Sequence, residues 1–585
     1  MTTASGGERI AAMLDAEGVD TVFGIIDGSY FGLYSSLGAH GIRLITPRHE
    51  TSAVHMAGAY ARVTGKLGVC LASNGPGAAN ALAGVAVENG EGNRVLLITS
   101  WRRSGIVGPD RGGTFQYFDQ PAVIGAMAKS SEAVASIERL PEAFGRAFRH
   151  CWSGRPGVVH VTVPEDIVNG SFALPSVPDP GPEQYRRQLR IEPNPDAVRL
   201  AAEMLIGAEA PIIHAGTGVV HAAAYAELAR VAELLAAPVT TSWGGRDCID
   251  ERLSVSIPMY DIELNSRVHN DADCVLALGT RLGETDWWGK PPYWRSAAEQ
   301  RLIQVDIDEV AIGSNKPVDL AVVADISAFL TALIAQLEQH DLANRLGPRS
   351  ERLDRYGDLK RDHRAALDLA LLTETSPIHS SRVAPLCQEI FDDDAVLVID
   401  GGNTAIWANL YHEVRRPSTM VSTFKFGMLG AGVGQALGAK AAWPDRQVYC
   451  IIGDGAMGFH SQEVETAVRC DLPVVFIVLC DRQWGMVKVN QEFTIDPDRT
   501  LLEGGLPPEL NINTDLGETR FDLLAEAMGA HGERASTVDE LRAAVERSLA
   551  SGLCSVIHVD VDRQAHKFAP NLASFKDMHA EPGGS

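Results

Sequence analysis

Two acidic residues follow strand-like apolar runs in the last third of the chain. Asp454 lies in the segment Gly453-Asp454-Gly455-Ala456, and Asp481 follows a second run 27 residues later. Carboxylate oxygens are hard ligands that suit a divalent cation. Glycines let backbone amides approach a phosphate, and loops at the carboxyl ends of parallel strands form a ligand crevice. The spacing predicts a metal and phosphate site, with a plain strand–turn–helix as the alternative for this segment alone.

A third carboxylate whose position suits acid–base chemistry is Glu50. It follows the strand-like run Ile42–Thr46 and precedes the helix-like segment Ala53–Val63. In an apolar neighbourhood a carboxylate can share a proton with a ring nitrogen of a ligand, because desolvation tunes its pKa. Glu50 is therefore a candidate acid–base group, and a helix N-terminus is the other interpretation.

Three stretches of the chain must position these residues, and each alternates short β-branched runs with helix-like segments. That alternation is typical of parallel α/β sheets. It predicts an α/β fold with three parallel-sheet domains at residues 1–175, 190–345 and 375–563, followed by a tail at 564–585. The predicted strands are Thr21–Ile26, Ile42–Thr46, Gly68–Ala72, Val95–Thr99, Val158–Val163, Pro211–His214, Pro238–Thr241, Cys274–Leu278, Arg301–Asp306, Leu320–Val323, Ala395–Ile399, Gln447–Ile452, Pro473–Cys480 and Ser555–Val561.

Two segments break this alternation. The proline-rich passage Pro175–Pro182 predicts a linker, and the charged segment Arg345–Arg364 predicts a connector on the surface.

Composition excludes several classes of function. A formal charge of −24 argues against binding to a nucleic-acid backbone. No run approaches the roughly 20 apolar residues of a membrane helix, and the N-terminus lacks an export signal. The nine cysteines are scattered without a CxxC pair, which is typical of reduced thiols. We expect a cytoplasmic protein.

The order of these motifs resembles that of thiamine-diphosphate (ThDP) enzymes, the superfamily of acetohydroxyacid synthases, oxalyl-CoA decarboxylases and 2-hydroxyacyl-CoA lyases. The family's diphosphate motif is Gly-Asp-Gly, about 27 residues and then Asn. The resemblance implies that Asp454, Asp481 and the backbone carbonyl of Gln483 bind Mg²⁺. The chain departs from the pattern at Cys480-Asp481, where Asn-Asn is usual.

Other segments carry the same resemblance. Glu50 matches the family glutamate that hydrogen-bonds the aminopyrimidine ring of ThDP, and Leu429 matches the bulky residue under the bent cofactor. The loops Ser73–Asn80, Asp400–Thr404 and Trp484–Val487 also match family segments. The cofactor-binding residues implied in this way are Pro76, Asn80, Gly402, Asn403, Thr404, Gly427, Leu429, Gly453, Asp454, Gly455, Ala456, Asp481, Gln483, Gly485 and Met486.

The resemblance assigns a role to each domain. The first is expected to bind the pyrimidine, the third the diphosphate with Mg²⁺, and the central one is nucleotide-binding-like. Family active sites form between two chains, so we expect a homodimer or homotetramer. In the central domain, His214–Gly218 and Gly279–Gly283 follow strands, and Asp306 ends another. That placement suits ADP or FAD, and a domain that binds no nucleotide is the alternative.

The substrate signals conflict. Phe115–Gln120 resembles a loop of the CoA-using members, whereas Trp484–Val487 resembles the acetohydroxyacid synthase turn and Gly24–Tyr30 looks closer to sulfoacetaldehyde acetyltransferases. The segment Lys488–Thr519 is longer than expected, and the tail Gln564–Ser585 could close over the site.

Our first expectation is a 2-hydroxyacyl-CoA lyase that forms formyl-CoA and an aldehyde or ketone, reversibly. The alternative is acetolactate-synthase-like condensation, or acetyl transfer, from a 2-oxo acid. The small-molecule substrate is thus an acyl-CoA or a 2-oxo acid. Gln116 and Glu492 are further candidates for catalytic proton transfer.

Two other classes are less favoured. A nicotinamide or flavin oxidoreductase is disfavoured because Gly427–Gly434 lacks a strong preceding strand and a following acidic residue. A non-catalytic homologue is disfavoured because Glu50 and Asp454 are both present.

Overall fold

The computed structural model describes residues 3–107, 110, 112–173, 179–423 and 425–570. In this part of the chain it contains three parallel sheets flanked by helices, which confirms the predicted α/β class. Among the described helices, none combines the length and apolarity needed to cross a bilayer.

The first unit contains a parallel sheet in the order β3-β2-β4-β5-β7-β6 and a small antiparallel pair, β1 with β8. Its strands are β1 (Thr3–Ser5), β2 (Thr21–Gly24), β3 (Arg43–Ile45), β4 (Gly68–Ala72), β5 (Val95–Trp101), β6 (Ser130–Ala133), β7 (Val158–Pro164) and β8 (Ser171–Ala173). Its helices are α1 (Gly6–Ala16), α2 (Phe31–Leu37), α3 (Glu50–Thr64), α4 (Pro76–Glu91), α5 (Ser104–Val107), α6 (Gln120–Gly125), α7 (Leu140–Trp152) and α8 (Glu165–Asn169).

The central unit contains a parallel sheet in the order β10-β9-β11-β12-β13. Its strands are β9 (Pro211–Ala215), β10 (Val239–Thr241), β11 (Cys274–Leu278), β12 (Arg301–Asp306) and β13 (Leu320–Val323). The helices from the first linker onward are α9 (Pro182–Tyr185), α10 (Pro195–Gly207), α11 (Thr217–Ala222), α12 (Tyr225–Leu235), α13 (Ile262–Asp271), α14 (Ile326–Leu337) and α15 (Ala343–Leu371).

The third unit contains a parallel sheet in the order β15-β14-β16-β17-β19-β18. Its strands are β14 (Val396–Asp400), β15 (Met420–Ser422), β16 (Val448–Gly453), β17 (Val475–Cys480), β18 (His531–Ala535) and β19 (Ser555–Asp560). Its helices are α16 (Val383–Ile390), α17 (Asn403–Tyr411), α18 (Ala431–Ala442), α19 (Asp454–His460), α20 (Glu463–Arg469), α21 (Gly485–Ile495), α22 (Pro497–Glu503), α23 (Phe521–Ala527), α24 (Val538–Ser551) and α25 (Arg563–Lys567).

The two predicted connectors have different outcomes. Residues 175–178 of the proline-rich linker lie outside the described residues. The charged connector is the helix α15, and it is not wholly on the surface as predicted. Arg349 is buried and donates hydrogen bonds to the carbonyls of Leu205, Leu235 and Ala208. It thereby satisfies carbonyls at the ends of helices in the central unit.

Candidate functional site

The two predicted metal ligands lie at the same edge of the third sheet. Strands β16 and β17 are adjacent and parallel, so Asp454 and Asp481, which follow them, end up side by side. One oxygen of Asp454 accepts the backbone N–H of Gly455 at 2.8 Å, and the other accepts that of Arg482 at 2.8 Å. The side chain of Gln483 is also buried beside them. The structure therefore brings the three predicted ligand residues together.

These carboxylates are in an environment that favours a cation. Burial raises the pKa of both Asp454 and Asp481, and the negative charge of Asp481 raises that of Asp454 further. Two adjacent buried carboxylates repel each other unless a proton or a cation lies between them. The donor set consists of hard oxygen atoms, which fits Mg²⁺.

A second loop approaches the metal loops closely. Asp400 ends β14, and the loop then continues to Asn403, where α17 begins. A Cβ atom on Gly485 would lie 2.8 Å from the side-chain amide nitrogen of Asn403 and 3.0 Å from a carboxylate oxygen of Asp481. A Cβ on Gly453 would lie 3.0 Å from the hydroxyl of Thr404. The loops meet only because glycine occupies these positions.

The buried Oδ1 atom of Asn403 has no hydrogen-bond partner. An orphaned buried acceptor costs free energy, so a ligand or water that donates to it fits this position. The predicted residues Gly402, Asn403, Thr404, Gly453 and Asp481 thus converge on one small volume.

Two cavities flank the metal loops. One, of about 180 Å³, is lined by residues that include Asp400, Gly402, Gly427, Leu429 and Met486. The other, of about 590 Å³, is lined by residues that include Asp454, Phe459 and Trp484. Leu429 and Met486 are partly buried and pack against the core. Predicted cofactor residues of the third unit thus line both cavities: Gly402, Gly427, Leu429 and Met486 line the first, and Asp454 and Gly455 line the second.

The ring of Trp484 closes the side of the metal loop. A Cβ on Gly455 would lie 2.8 Å from a ring carbon of Trp484, so the ring rests against backbone one residue from Asp454. Trp484 also contacts Phe459 edge to face, with ring centroids 6.3 Å apart.

Glu50 lies in the first unit, at the first residue of α3. It is 7% exposed, and its carboxylate accepts a hydrogen bond of 3.0 Å from Asn80. Asn80 lies in the first turns of α4, which begins at the exposed Pro76. Glu50 lines neither of the two cavities described above, although its neighbour His49 contacts His460 of α19, with ring centroids 5.4 Å apart.

Gln116 adjoins the same part of the first unit. It is exposed and has a φ of 54°, and its backbone carbonyl accepts a hydrogen bond from the side chain of Asn74. A Cβ on Gly75 would lie 2.8 Å from Gln116, which places Gln116 beside the loop that leads to Pro76.

Glu492, the third candidate for catalytic proton transfer, is buried and ion-paired. It is 1% exposed and forms a buried ion pair with Lys567, with an N–O distance of 2.6 Å. This pair joins α21 to α25. The contact shows a structural role for Glu492, and its role in proton transfer stays a prediction.

Helix α25 begins the tail that was expected near the site, but its individual contacts could not be predicted from the sequence. His566 is buried; Nδ1 lies 2.7 Å from the hydroxyl of Ser380, Nε2 lies 3.3 Å from that of Thr404, and the carbonyl accepts from Trp407. Arg563 and Gln483 hydrogen-bond each other. The start of the predicted tail therefore packs against both cofactor loops, while residues 571–585 lie outside the described part of the chain.

A further cavity, of about 140 Å³, lies where the three units meet. Its lining includes Arg94 and Arg155 of the first unit, Arg281 and Asp306 of the central unit, and Lys425 of the third. The predicted loops after β9 and β11 touch here, because a Cβ on Gly216 would lie 2.4 Å from the carbonyl oxygen of Gly279. The central loops could be predicted from the sequence, whereas the basic residues from the other units could not.

Comparison with known proteins agrees with this architecture. The chain matches the family descriptions "Thiamine pyrophosphate enzyme, N-terminal TPP binding domain" over residues 4–123, "central domain" over residues 198–333 and "C-terminal TPP binding domain" over residues 400–559.

Curated relatives cover nearly the whole chain. A probable acetolactate synthase large subunit of Methanocaldococcus jannaschii is 28% identical over 567 residues, covering 95% of this chain and 92% of its own length. The Haemophilus influenzae acetolactate synthase large subunit is 28% identical, covering 97% and 96%. The Escherichia coli acetolactate synthase isozyme 2 large subunit is 29% identical, covering 95% and 96%.

Proposed function

Since this chain belongs to the family of thiamine pyrophosphate (ThDP) enzymes, we propose that it joins or transfers the acyl part of a 2-oxo acid. The reaction class is acetolactate-synthase-like condensation or acetyl transfer. The observation that carries the proposal is the similarity to acetolactate synthases over 95% of the chain. The converging loops around Asp454 and Asp481 support it, because they fit a diphosphate bound through Mg²⁺.

The residues described above fit ThDP with Mg²⁺. Asp454, Asp481 and the carbonyl of Gln483 would hold the cation, and the loop Gly402–Thr404 would hold the diphosphate. Leu429 would support the cofactor rings. When bound, ThDP supplies the nucleophilic carbon and the electron sink for chemistry next to a carbonyl.

The residues in the two parts of the site have different roles. Glu50 is desolvated and holds a hydrogen bond from Asn80, so its carboxylate can accept and return a proton at a ring nitrogen. The apolar faces of Leu429 and Met486 exclude water from the cavity that they line. The protein's contribution is orientation, proton transfer and exclusion of water.

The structure weakens the sequence argument for a CoA substrate. The carboxylate of Asp119 accepts from the backbone N–H of Ala122 and begins the helix α6. Gln120 is buried and hydrogen-bonds Thr99 and Thr162. Both residues of the Asp119-Gln120 resemblance are therefore occupied in local structure. The similarity to proteins named acetolactate synthases favours a 2-oxo acid over an acyl-CoA as the substrate.

The test supplies the Mg²⁺–ThDP protein with pyruvate alone in one assay, and with formyl-CoA and an aldehyde or ketone in another. We expect acetolactate, or acetyl transfer to an added acceptor, from the first assay. Formation of a 2-hydroxyacyl-CoA in the second assay, with pyruvate left unchanged in the first, would restore the lyase reading and reject this proposal.

The assembly proposal rests on the family to which the chain belongs, and on the observation that Glu50 lines neither of the third unit's two cavities. We infer a homodimer or homotetramer in which Glu50 of one chain completes the site of another. Exposed apolar side chains occur in both the first and the third unit, including Ile26, Phe115, Phe459 and Val487, and such residues suit burial between copies. Sedimentation should show no active species near the 62.8 kDa of one chain.

The cavity at the junction of the three units suits an adenine nucleotide. Arg94, Arg155 and Arg281 line it, and guanidinium groups pair well with phosphates. Asp306, at the carboxyl end of β12, would accept a hydrogen bond from a ribose hydroxyl. Analysis of the small molecules released on denaturation distinguishes the alternatives: ADP, FAD or no nucleotide.

A further inference from the structure

A fully buried carboxylate, Glu88, lies on α4 at the contact between the first and third units. It is 0% exposed. It accepts hydrogen bonds from His55 at 2.7 Å, from Asn93 at 2.6 Å and from Gln435 at 3.2 Å. These donors come from α3, from the turn after α4 and from α18. A buried charge is costly unless it is fully hydrogen-bonded, and here three separate segments stabilise it.

The two helices that donate to Glu88 touch each other through their backbones. A Cβ on Gly434 of α18 would lie 2.9 Å from the Cβ of His55, and a Cβ on Gly438 would lie 2.2 Å from the carbonyl oxygen of Met56. Small residues thus allow α3 and α18 to pack without intervening side chains. Such a contact has few large side chains to fix the position of one helix along the other.

Both helices begin at predicted cofactor residues. The first residue of α3 is Glu50, and α18 begins at Ala431, directly after Leu429 and Gly430. A shift of either helix along its axis would therefore move Glu50 or Leu429. The hydrogen bonds of Glu88 to His55 and Gln435 join the two helices and oppose such a shift.

The Glu88 carboxylate lies among closely packed helices. Val54, Ala57, Val85 and Ala436, which lie on α3, α4 and α18, belong to one apolar core. A Cβ on Gly58 would lie 2.0 Å from a carboxylate oxygen of Glu88. The Glu88 carboxylate therefore fills the space that a side chain at position 58 would occupy. Buried polar groups are known to fix the register of packed helices.

We propose that Glu88 is a positioning residue for ThDP, because its hydrogen bonds to α3 and α18 fix the places of Glu50 and of the Leu429 segment. This inference rests on the proposed function. Since the proposed sites form between chains, Glu50 and Leu429 of one chain would serve different sites, so the Glu88 contacts of both chains act on each site.

The test measures the dissociation constant of ThDP with Mg²⁺ by calorimetry on the full-length protein freed of cofactor. Glu88→Gln keeps the shape of the side chain and removes its charge, and Glu88→Ala removes both. We expect each to raise the dissociation constant about tenfold or more, equivalent to roughly 1.4 kcal/mol, while the circular dichroism spectrum stays native.

A carboxylate relocation tests position rather than residue. In Gly58→Asp combined with Glu88→Ala, the new carboxylate enters the space left by Glu88, so the dissociation constant should return to within about threefold of wild type, less than 1 kcal/mol. Asp247→Asn is the matched control: Asp247 is buried and pairs with Arg62 near the other end of α3. It should lower thermal stability without changing the dissociation constant.

The outcomes are separable. Wild-type protein that binds no ThDP would overturn the proposed function, and this inference with it. Normal binding by wild type and equal binding by Glu88→Gln and Glu88→Ala would overturn only the positioning role. A natively folded double variant that binds as weakly as Glu88→Ala would also overturn it, since the carboxylate would then have no positional effect.

Discussion

The carboxylate of Asp454 accepts a hydrogen bond of 2.8 Å from the backbone N–H of Arg482. This bond joins the loop after β16 to the loop after β17, and Asp481 immediately precedes Arg482. The two carboxylates are therefore held together before any cation binds, which reduces the ordering that cation binding requires.

The first prediction concerns the two carboxylates. Asp454→Ala should abolish retention of ThDP with Mg²⁺, because it removes both a ligand and the bond to Arg482. Asp481→Asn should be tolerated, since the amide oxygen is a similar hard ligand. Cofactor content after gel filtration measures both. Loss of cofactor in Asp481→Asn with retention in Asp454→Ala would show that the site lies elsewhere.

The second prediction concerns pH. Burial raises the pKa of Asp454 and Asp481 in the cofactor-free protein, so the folded state binds more protons than the unfolded state. The stability contributed by these groups therefore falls as pH rises from the ordinary aspartate pKa, about 4, toward neutrality. The difference in melting temperature between wild type and Asp481→Asn should narrow at lower pH. Added Mg²⁺ and ThDP should reverse the loss, because the cation replaces the protons.

The third prediction concerns Glu50. Glu50→Gln should keep the fold and most ThDP binding, because glutamine retains the shape of the side chain. Turnover should fall about 10²- to 10⁴-fold, the usual contribution of general acid–base catalysis. Steady-state rates under saturating ThDP provide the measurement. A near-normal rate would remove this role from Glu50.

The fourth prediction concerns the ion pair of Glu492 with Lys567. Glu492→Ala leaves the Lys567 ammonium buried without its partner, which should destabilise the fold by about 3 kcal/mol or more. Glu492→Leu with Lys567→Met removes both charges and should recover most of that loss. Chemical denaturation measures both variants. A double variant that is stable but inactive would instead support the proton-transfer role of Glu492.

The sequence predicted the interior strands well but not the polar edges of the sheets. Val475–Cys480 is wholly buried and apolar, so its composition alone indicates a strand. The edge strand Ser130–Ala133 is only partly buried, and His531–Ala535 is similar. A polar edge strand carries little apolar signal, so neither strand was predicted, whereas the apolar edge strand Leu320–Val323 was.

Some parts of the candidate site could likewise be predicted from the sequence, and others could not. Short motifs that combine glycine with a carboxylate, such as Gly453–Ala456, can be recognised locally. The ion pair of Glu492 with Lys567 and the contact of His566 with Thr404 join residues that are far apart in the chain. Only the folded structure brings them together, so periodicity and composition could not reveal them.

Trp484 has a consequence for the study of this protein in solution. Its indole ring rests against the backbone of Gly455, one residue from a predicted cation ligand. A fluorophore so close to the loop senses a change in local charge when the cation and diphosphate bind. Trp484 is therefore a natural optical probe of cofactor loading, and Trp484→Phe provides the background signal from the other tryptophans.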